Sequence, residues 1–231
     1  MSFGQNLQFL RKMRRGMTQD ELAEKMGVSR QTVSKWEMDA SFPEMDKALA
    51  LCDLFSCTLD GLLRENVNSS SDAYISMGLK TVPALRYVRY AVISADPEGD
   101  AIRHVREWAS GQGIEAPEMI GWDFPFVSQE QINVYHMHGY TAACVLPKDF
   151  DAACRGMEIL SQPAQRYAVL TIREPFSAPF NLIPNAYKTL LRYLEVNGLR
   201  PKQTKEILPC FEKVYDKEGV TCMDICIAVD A

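Results

Sequence analysis

Residues 18 to 37 encode two short helices joined by a tight turn, and this stretch constrains the fold more than any other part of the chain. Thr18 and Glu21 have the T-x-x-E spacing of a capping box, in which hydroxyl and carboxylate satisfy backbone donors, so a helix should begin directly after Thr18. Gly27 can adopt the left-handed conformation that ends this helix, and Ser29 can cap the next one. The sequence therefore predicts a helix, a tight turn and a second helix.

The second helix has an apolar side and a polar side. At about 100° per residue, Val33 and Trp36 fall on one side and are expected to pack inward. On the other side, Arg can bond guanine bidentately, Gln can do the same to adenine, and Ser and Lys can contact a base edge or a phosphate. This face suits the major groove of DNA, although such a face taken alone is more often the solvated side of a helical hairpin. The polar side carries Arg30, Gln31, Ser34 and Lys35.

Residues 6 to 63 resemble the Cro/repressor-type (XRE) helix-turn-helix family along their whole length, from NLQFLRKMRR through TQDELAEKMGVSRQTVSKWE to SCTLDGLL. The resemblance implies a domain that binds double-stranded operator DNA. The contacts that it implies are Gln19, Ser29 and Lys35 on phosphates, and Arg30, Gln31 and Ser34 near base edges.

The resemblance implies a first helix before these two, and two further helices complete an all-α, five-helix domain over residues 1 to 65. Pro43 suits the first turn of a fourth helix running to about Phe55. Thr58 can cap a short fifth helix ending near Leu63.

The charge of this domain is nearly balanced. Residues 1 to 65 hold nine Lys or Arg and ten Asp or Glu, so nonspecific attraction to phosphates should be modest. Affinity should then depend on base contacts and on a second half-site, and we expect a homodimer. The family resemblance also implies that Arg11 and Glu37 form an internal ion pair, outside the set of DNA contacts.

The whole chain has the composition of a globular protein with two domains. Its 231 residues are 47% hydrophobic and 24% charged, and they leave enough chain after residue 65 for a second core. No run approaches the ~18 uninterrupted apolar residues of a membrane span, and the N-terminus lacks a secretory signal, so a cytoplasmic protein without a membrane partner is expected. The seven cysteines form no C-x-x-C pair and are expected to be reduced thiols, and no cofactor is expected.

Residues 66 to 82 are predicted to be a linker. Six of the seven residues from 66 to 72 are polar, all but Val67, and they break any apolar period. Farther along, four apolar side chains could nonetheless form a short helix that docks on a domain or on a partner chain, and the sequence leaves open which. These four are Tyr74, Ile75, Met77 and Leu79.

The second domain, expected over residues 83 to 231, shows one order of elements twice. Alternating β-branched and aromatic runs predict strands, and apolar residues at helical spacing predict one helix in each copy. Two such β-α-β-β units can join into one antiparallel sheet with both helices on one face, which makes this an α+β domain. The first copy is predicted as a strand 86–94, a helix 100–110 and strands 119–127 and 133–146. The second is predicted as a strand 165–173, a helix 182–197 with Ala186, Leu190, Leu191 and Leu194 inward, and strands 211–216 and 220–229.

Residues 85 to 231 resemble the GyrI-like effector-binding family found behind DNA-binding domains in multidrug-responsive bacterial regulators. The matching segments are YTAACVLP, AQRYAVLTIREPF, NAYKTLLRYLEVNGLRP, CFEKVYD and VTCMDICIAV. The first-copy counterpart of CFEKVYD reads EMIGWDF and lacks the glutamate, so the pocket is expected to be lopsided. The resemblance implies a small-molecule pocket between the copies, lined by aromatic residues, with an acidic residue that favours cationic, lipophilic effectors.

Glu212 is the expected pocket carboxylate because it stands where the family's strand glutamate stands. A carboxylate among aromatic rings can pair with an organic cation, while each ring face adds cation–π attraction of ~0.5–2 kcal/mol. Asp224 is a second candidate and shares a strand face with Cys222 and Cys226. Glu212 could instead be a solvated edge residue beside Lys213, and Asp224 could belong to an ion pair. The expected aromatic members of the ligand site are Trp122, Tyr187 and Tyr215.

Three other interpretations compete with that of a regulator. His136 and His138 alternate onto one predicted strand face, but two separate His and Cys pairs do not give zinc four converging ligands, so no metal is expected. A GyrI-like hydrolase of reactive small molecules, with Glu212 and Tyr215 activating water, is the alternative function. An attached DNA-binding domain is not needed by such an enzyme. A domain that holds a protein partner is a third class, without specific support. The favoured prediction is a one-component bacterial transcriptional regulator that is not an enzyme.

Overall fold

The computed structural model describes residues 2–65, 72–150 and 156–230. The N-terminal domain is built from five helices packed around a core that includes Leu7, Leu10, Leu22 and Phe55. These helices are α1 (Phe3–Met13), α2 (Gln19–Met26), α3 (Arg30–Glu37), α4 (Met45–Phe55) and α5 (Leu59–Leu63).

The local signals for the α2–turn–α3 unit are confirmed. The Thr18 hydroxyl accepts a hydrogen bond from the Glu21 amide at 3.2 Å, and the Thr18 amide donates to the Glu21 carboxylate at 2.6 Å. Gly27 has a φ of 63°, which is the left-handed region that favours glycine. The Ser29 hydroxyl accepts from the amide of Thr32 at 3.1 Å and caps α3. The turn is therefore fixed by the left-handed Gly27 at the end of α2 and by the Ser29 side-chain cap at the start of α3.

The fourth helix begins later than predicted. Glu44 keeps an extended ψ of 159° and is the residue before the helix, so α4 starts at Met45. The prediction that Pro43 lies in the first turn is therefore wrong. The fifth helix is as predicted, since the Thr58 hydroxyl accepts from the Gly61 amide at 2.9 Å.

A buried ion pair joins α1 to α3. Arg11 Nε lies 2.5 Å from Glu37 Oε1, and Arg11 Nη2 lies 3.0 Å from Glu37 Oε2. Both side chains are buried. The predicted internal pair is confirmed, and its bidentate geometry satisfies both carboxylate oxygens.

The rest of the described chain forms one antiparallel sheet of eight strands with helices. The strand order is β1-β6-β8-β7-β3-β4-β2-β5. The strands are β1 (Tyr74–Val82), β2 (Leu85–Ser94), β3 (Glu118–Asp123), β4 (His138–Val145), β5 (Leu160–Gln162), β6 (Gln165–Arg173), β7 (Cys210–Lys217) and β8 (Val220–Ala228). The helices are α6 (Pro97–Gly111), α7 (Gln129–Asn133) and α8 (Pro179–Val196), with a single 3-10 turn at Pro175–Ser177.

Part of the predicted linker is a strand. Residues 66–71 lie outside the described residues, but Tyr74–Val82 pairs with β6 along almost its whole length. The expected short helix at Tyr74 to Leu79 is therefore wrong, because backbone hydrogen bonds to β6 hold this segment extended. The division into domains at residues 65 and 83 stays a prediction.

The first half of the sheet also departs from the predicted bounds. The strand expected over 119–127 ends at Asp123, and the one expected over 133–146 begins at His138. Between them, Ser128 and Gln131 form a capping box that starts the short helix α7. This local cap was not recognised in the sequence. The edge strand β5, which pairs with β2, was also not predicted.

Both long helices of the sheet pack on the same face. Residues directly paired across an antiparallel sheet share a face, and one such row runs through Ala142, Gly121, Glu212, Ile225 and Leu170. Helix α6 packs on the β4 end of this row, and α8 packs on the β6 and β8 end. The middle of the row, at β3 and β7, is left between the two helices.

Helix α8 begins before the predicted residue 182. Ala186, Leu190 and Leu194 are buried as predicted, but Leu191 is 45% exposed, so its predicted inward position is wrong. A helix on one face of a sheet buries a narrow stripe, and Leu191 lies beside that stripe rather than in it.

Candidate functional site

The outer face of α3 is open to solvent and forms a shallow groove of about 360 Å³. Arg30, Gln31 and Lys35 are exposed there, and Ser34 is half-buried. Arg30 Nε also lies 3.6 Å from Asp20 Oδ2, in an ion pair between two exposed side chains. The groove is lined by Gln19, Arg30, Gln31, Ser34, Lys35 and Met38. Met38 had not been predicted, because an apolar side chain after the polar set resembles a core residue in sequence.

Two of the predicted phosphate contacts have partners inside the protein. The Gln19 side-chain amide donates to Glu37 at 2.8 Å, so Gln19 is held against the Arg11–Glu37 pair at the edge of the groove. The Ser29 hydroxyl, which is exposed, accepts from the Thr32 amide as the cap of α3. Their roles as DNA contacts stay predictions.

A second cavity, which we call the cleft, lies over the middle of the sheet between α6 and α8. Its volume is about 790 Å³. The start of α6 and the first half of α8 form two of its sides, and residues of β3, β4 and β7 form its floor. Glu212 and Tyr187, both predicted ligand-site residues, line it together.

Glu212 is half-buried in the cleft and has an unusual carboxyl group. The Tyr187 hydroxyl donates to Glu212 Oε1 at 2.8 Å. The pKa of Glu212 is raised to about 7, chiefly by burial and to a smaller extent by the carboxylates of Asp123 and Glu98, against the lowering effect of the Tyr187 hydrogen bond. Among the described residues that line the cleft, none is a lysine or an arginine.

The tyrosine beside Glu212 is also perturbed. Burial raises the pKa of the Tyr187 hydroxyl far above its ordinary value, and the neighbouring Cys210 and Glu212 add to the shift. The Cys210 thiol lies 3.5 Å from this hydroxyl. Tyr187 therefore stays a neutral hydrogen-bond donor to Glu212 at any ordinary pH.

The cleft is asymmetric at the junction of β3 and β7. Gly121 pairs directly with Glu212, so it holds the matching position on β3. A Cβ atom on Gly121 would overlap the hydroxyl and ring of Tyr140, which fill that space. At this pair of positions the pocket is therefore lopsided, with the Glu212 carboxylate on β7 and no side chain on β3, where the Tyr140 ring of β4 fills the space.

The mouth of the cleft exposes aromatic rings from the α8 side. Phe180 is 93% exposed and Phe176 is 52% exposed, and both line the cavity. Ile183 and Pro184 lie in the same lining. Exposed aromatic side chains at the rim of an acidic cavity are available for contact with an apolar or cationic ligand.

The other predicted ligand residues lie on the opposite face of the sheet. Trp122 follows Gly121 on β3, and Tyr215 and Asp224 follow the same alternation on β7 and β8. The predicted grouping of Trp122 and Tyr215 with Tyr187 therefore does not occur. Asp224 accepts from Thr171 at 2.6 Å and from Tyr215 at 3.2 Å, and it lies 3.3 Å from Lys80.

Several residues of the cleft were missed by sequence reasoning. Asp123 ends β3, Glu98 lies in the first turn of α6, and Tyr140 lies on β4. An acidic residue in the first turn of a helix resembles an ordinary interaction with the helix dipole, so Glu98 gave no distinct signal. Asp123 lies within EMIGWDF, the segment matched to the Glu212 strand, and this match could have drawn attention to it.

The predicted pairing of histidines on a strand is wrong. His136 has a φ of 51° and lies before β4, so it does not alternate with His138 on one strand face. Across residues 2–65, 72–150 and 156–230, no group of three or more His, Cys, Asp or Glu side chains could hold a metal ion.

Within the same ranges no helix is both long and apolar enough to span a membrane.

Comparison with known proteins identifies the N-terminal domain. Residues 7–62 match the helix-turn-helix family HTH_3, so this part of the chain is a DNA-binding helix-turn-helix of the XRE type. Over 63 residues the chain is 41% identical to the HTH-type transcriptional activator BcrR of Enterococcus faecalis. That match covers 27% of this chain and 30% of BcrR, so the chain spans less than a third of this relative's length.

Two solved structures resemble the chain more broadly but more weakly. The cryo-EM structure of the EcmrR–DNA complex in EcmrR-RPo has 13% identity and a TM-score of 0.47, with 92% of this chain and 98% of that one covered. A crystal structure of a hydrolase from Listeria innocua has 10% identity and a TM-score of 0.41, with 67% and 91% covered. Similarity at this level does not establish a shared function.

Proposed function

We propose that the chain is a one-component transcriptional regulator whose N-terminal domain binds operator DNA as a homodimer and whose cleft binds a lipophilic organic cation. The ligand part of this proposal depends on one observation. Glu212 is a half-buried carboxylate that faces a cavity of about 790 Å³ with other acidic groups and without a lysine or arginine in its lining.

An organic cation suits this cavity for two physical reasons. With a pKa of about 7, Glu212 is only partly ionised near neutral pH, and a bound cation would favour the ionised form. The rings of Phe176 and Phe180 can cover the apolar part of such a ligand and add cation–π attraction of ~0.5–2 kcal/mol each. The charge therefore selects the ligand, and the rings add affinity.

We also infer that the sheet contains two copies of one β-α-β-β unit, namely β2-α6-β3-β4 and β6-α8-β7-β8. The strand order supports this, since it reads β3-β4-β2 outward from the junction in one direction and β7-β8-β6 in the other. Under this interpretation Gly121 and Glu212 are equivalent positions, so the glutamate at this position comes from one copy only. The first copy contributes its own carboxylates to the cleft, Asp123 and Glu98, from other positions.

The ligand class is tested by calorimetric titration of the full chain with tetraphenylphosphonium and with neutral triphenylphosphine oxide. Glu212→Gln should weaken binding of the cation by about tenfold or more, while binding of the neutral compound changes less than about twofold. Asp224→Asn removes a carboxylate from the opposite face and serves as the matched control. An unchanged ratio of the two affinities in Glu212→Gln would remove this residue from the site.

The two-domain organisation is tested with the double variant Arg30→Ala and Gln31→Ala. Specific binding to an operator selected from random duplexes should be lost, because the base-contacting side chains are gone. Thermal stabilisation by tetraphenylphosphonium should persist. Loss of both properties together would contradict independent DNA and ligand sites.

A hydrolase is the second candidate, and the same carboxyl group is the reason. A carboxyl with a pKa near 7, hydrogen-bonded to a tyrosine in a cavity, is suited to general acid–base catalysis. The partner would be Tyr187, because Tyr215 lies on the other face of the sheet. Chromatographic detection of a product from any compound that binds would establish the enzyme, and recovery of unchanged compound after long incubation would favour the regulator.

A further inference from the structure

Helix α8 extends from the cleft to the helix-turn-helix domain. Near its start, Ile183 and Tyr187 line the cleft. At its end, the last turn contacts α1 and α4 of the N-terminal domain. Tyr187 and Val196 are separated by nine residues of helix, or about 14 Å at the rise of an α-helix. A single rigid element therefore touches both functional regions.

The junction between α8 and the N-terminal domain is held by hydrogen bonds from both sides. The Arg14 guanidinium donates to the Val196 carbonyl at 3.1 Å and also to the carbonyl of Leu54 near the end of α4. The Asn197 amide donates to the Met13 carbonyl at the end of α1 at 3.1 Å. Arg14 therefore ties the last turn of α8 to the last turn of α4, and Asn197 ties it to α1.

Apolar packing reinforces the same junction. Leu190, Leu194 and Val196 of α8 belong to one continuous buried cluster with Leu10 of α1 and Phe55 of α4. Close-packed side chains transmit a displacement because they leave no space to absorb it. The end of α8 and these two helices are thus expected to move together.

At the other end, a cation in the cleft would compete with Tyr187 for Glu212. The Tyr187 hydroxyl occupies Oε1 of this carboxylate at 2.8 Å. Pro184 lacks an amide hydrogen and interrupts the helix ladder before Tyr187, whereas the segment from Tyr187 to Val196 is continuous α-helix. A shift of Tyr187 would therefore carry the last turn of α8 with it.

We infer that α8, clamped by Arg14 and Asn197, is the element through which ligand in the cleft changes the affinity of the helix-turn-helix domain for DNA. This inference rests on the proposed function and adds the route of regulation. Coupling requires that ligand favour one position of α8 over another. Because Arg14 and Asn197 join the end of α8 to α1 and α4, a change in that position would displace these two helices.

The test is a binding cycle on the full chain, with tetraphenylphosphonium and an operator duplex selected from random sequence as the two ligands. In the wild type, saturating cation should change the operator Kd by about 5- to 150-fold, and operator should change the cation Kd by the same factor. Arg14→Ala and, separately, Asn197→Ala should reduce this factor to less than about twofold. Each variant should still bind either ligand alone with a Kd within about threefold of the wild type.

Lys12→Ala is the matched control, since Lys12 is an exposed cation on α1. It should keep the full wild-type coupling factor. If Arg14→Ala and Asn197→Ala keep that factor as well, α8 is not the route, and the inference is overturned while the proposed function stands. If the wild type binds both ligands but neither changes the Kd of the other, the inference is again overturned. If the wild type fails to bind one of the two ligands, the proposed function itself is wrong.

Discussion

Glu37 in the N-terminal domain and Glu212 in the cleft are both withdrawn from water, but their surroundings are opposite. Burial would raise the pKa of Glu37, yet hydrogen bonds from Arg11 and Gln19 hold it below its ordinary value. Glu212 has a tyrosine hydroxyl as its hydrogen-bond donor and other carboxylates nearby, and burial raises its pKa to about 7.

This difference separates a carboxylate that stabilises the fold from one that is available to a ligand. The charge of Glu37 is neutralised by Arg11 within 3.0 Å, so the domain needs no external partner at that place. The charge of Glu212 is costly in the free protein and would be compensated by a cation that enters the cleft. The N-terminal domain therefore pairs its buried carboxylate internally, whereas Glu212 has no lysine or arginine beside it among the described residues that line the cleft.

The largest expected loss of stability comes from breaking the ion pair between Arg11 and Glu37. Glu37→Gln should lower the free energy of unfolding by about 3–5 kcal/mol, because Arg11 is left as a buried charge without its counter-ion. Urea denaturation measures this loss. Asp20→Asn, which removes the exposed partner of Arg30, should cost less than about 1 kcal/mol. Equal losses in the two variants would contradict a structural role for Glu37.

The two glutamates should also give stability opposite dependences on pH. Glu212 has a raised pKa in the folded state, so the folded protein binds more protons and stability falls as pH rises from about 4.5 to about 7. The fall is measured as the free energy of unfolding of the wild type minus that of Glu212→Gln at each pH. It should be at most about 3 kcal/mol because the side chain is partly exposed. The Glu37 contribution, with its lowered pKa, should instead be lost as pH falls. A flat difference curve for Glu212→Gln would contradict its raised pKa.

A smaller loss of stability is expected from a substitution at Gly121, where β3 meets β7. Gly121→Ala should destabilise the fold by about 1–3 kcal/mol, because a methyl group there overlaps Tyr140. Gly78→Ala, at a strand glycine whose added Cβ would have no atom within 4 Å, is the control and should change stability little. Thermal unfolding of the two variants distinguishes them. Similar melting temperatures would mean that the asymmetry of the cleft does not depend on Tyr140.

The smallest expected loss of stability comes from removing the single hydrogen bond between Tyr187 and Glu212. Tyr187→Phe should cost about 1 kcal/mol, since one intramolecular hydrogen bond to Glu212 is lost. The pKa of Glu212 should rise further, because that bond lowers it in the wild type. A pH titration of unfolding free energies reports the change. A downward shift of the pKa would contradict the assigned hydrogen bond.

The N-terminal domain could be predicted because its signals are local. The capping box joins Thr18 to Glu21, and the turn depends on Gly27 and Ser29 alone, so each partner lies within a few residues. The segment Tyr74–Val82 could not be predicted in the same way, because its conformation is fixed by pairing with β6, far away in sequence. Local propensity does not contain that information.

The cleft was predictable only in part. Glu212 and Tyr187 stood out in sequence, but Asp123 and Glu98 reach the same cavity through the register of β3 against β7 and the packing of α6. The position of Tyr215 outside the cleft follows from strand geometry. Side chains alternate along a strand, so a residue three positions after Glu212 lies on the other face.

If Glu212 is available to a cation, its titration must change when a cation binds in the cleft. Carbon-13 NMR of the full chain, with the signal assigned by Glu212→Gln, should give a midpoint near 7 in the free protein. Saturation with tetraphenylphosphonium should lower that midpoint by at least about one unit, and triphenylphosphine oxide should leave it unchanged. A midpoint at the ordinary value of 4.5 in the free protein, or one that bound cation does not lower, would mean that Glu212 is not the carboxylate that pairs with the ligand.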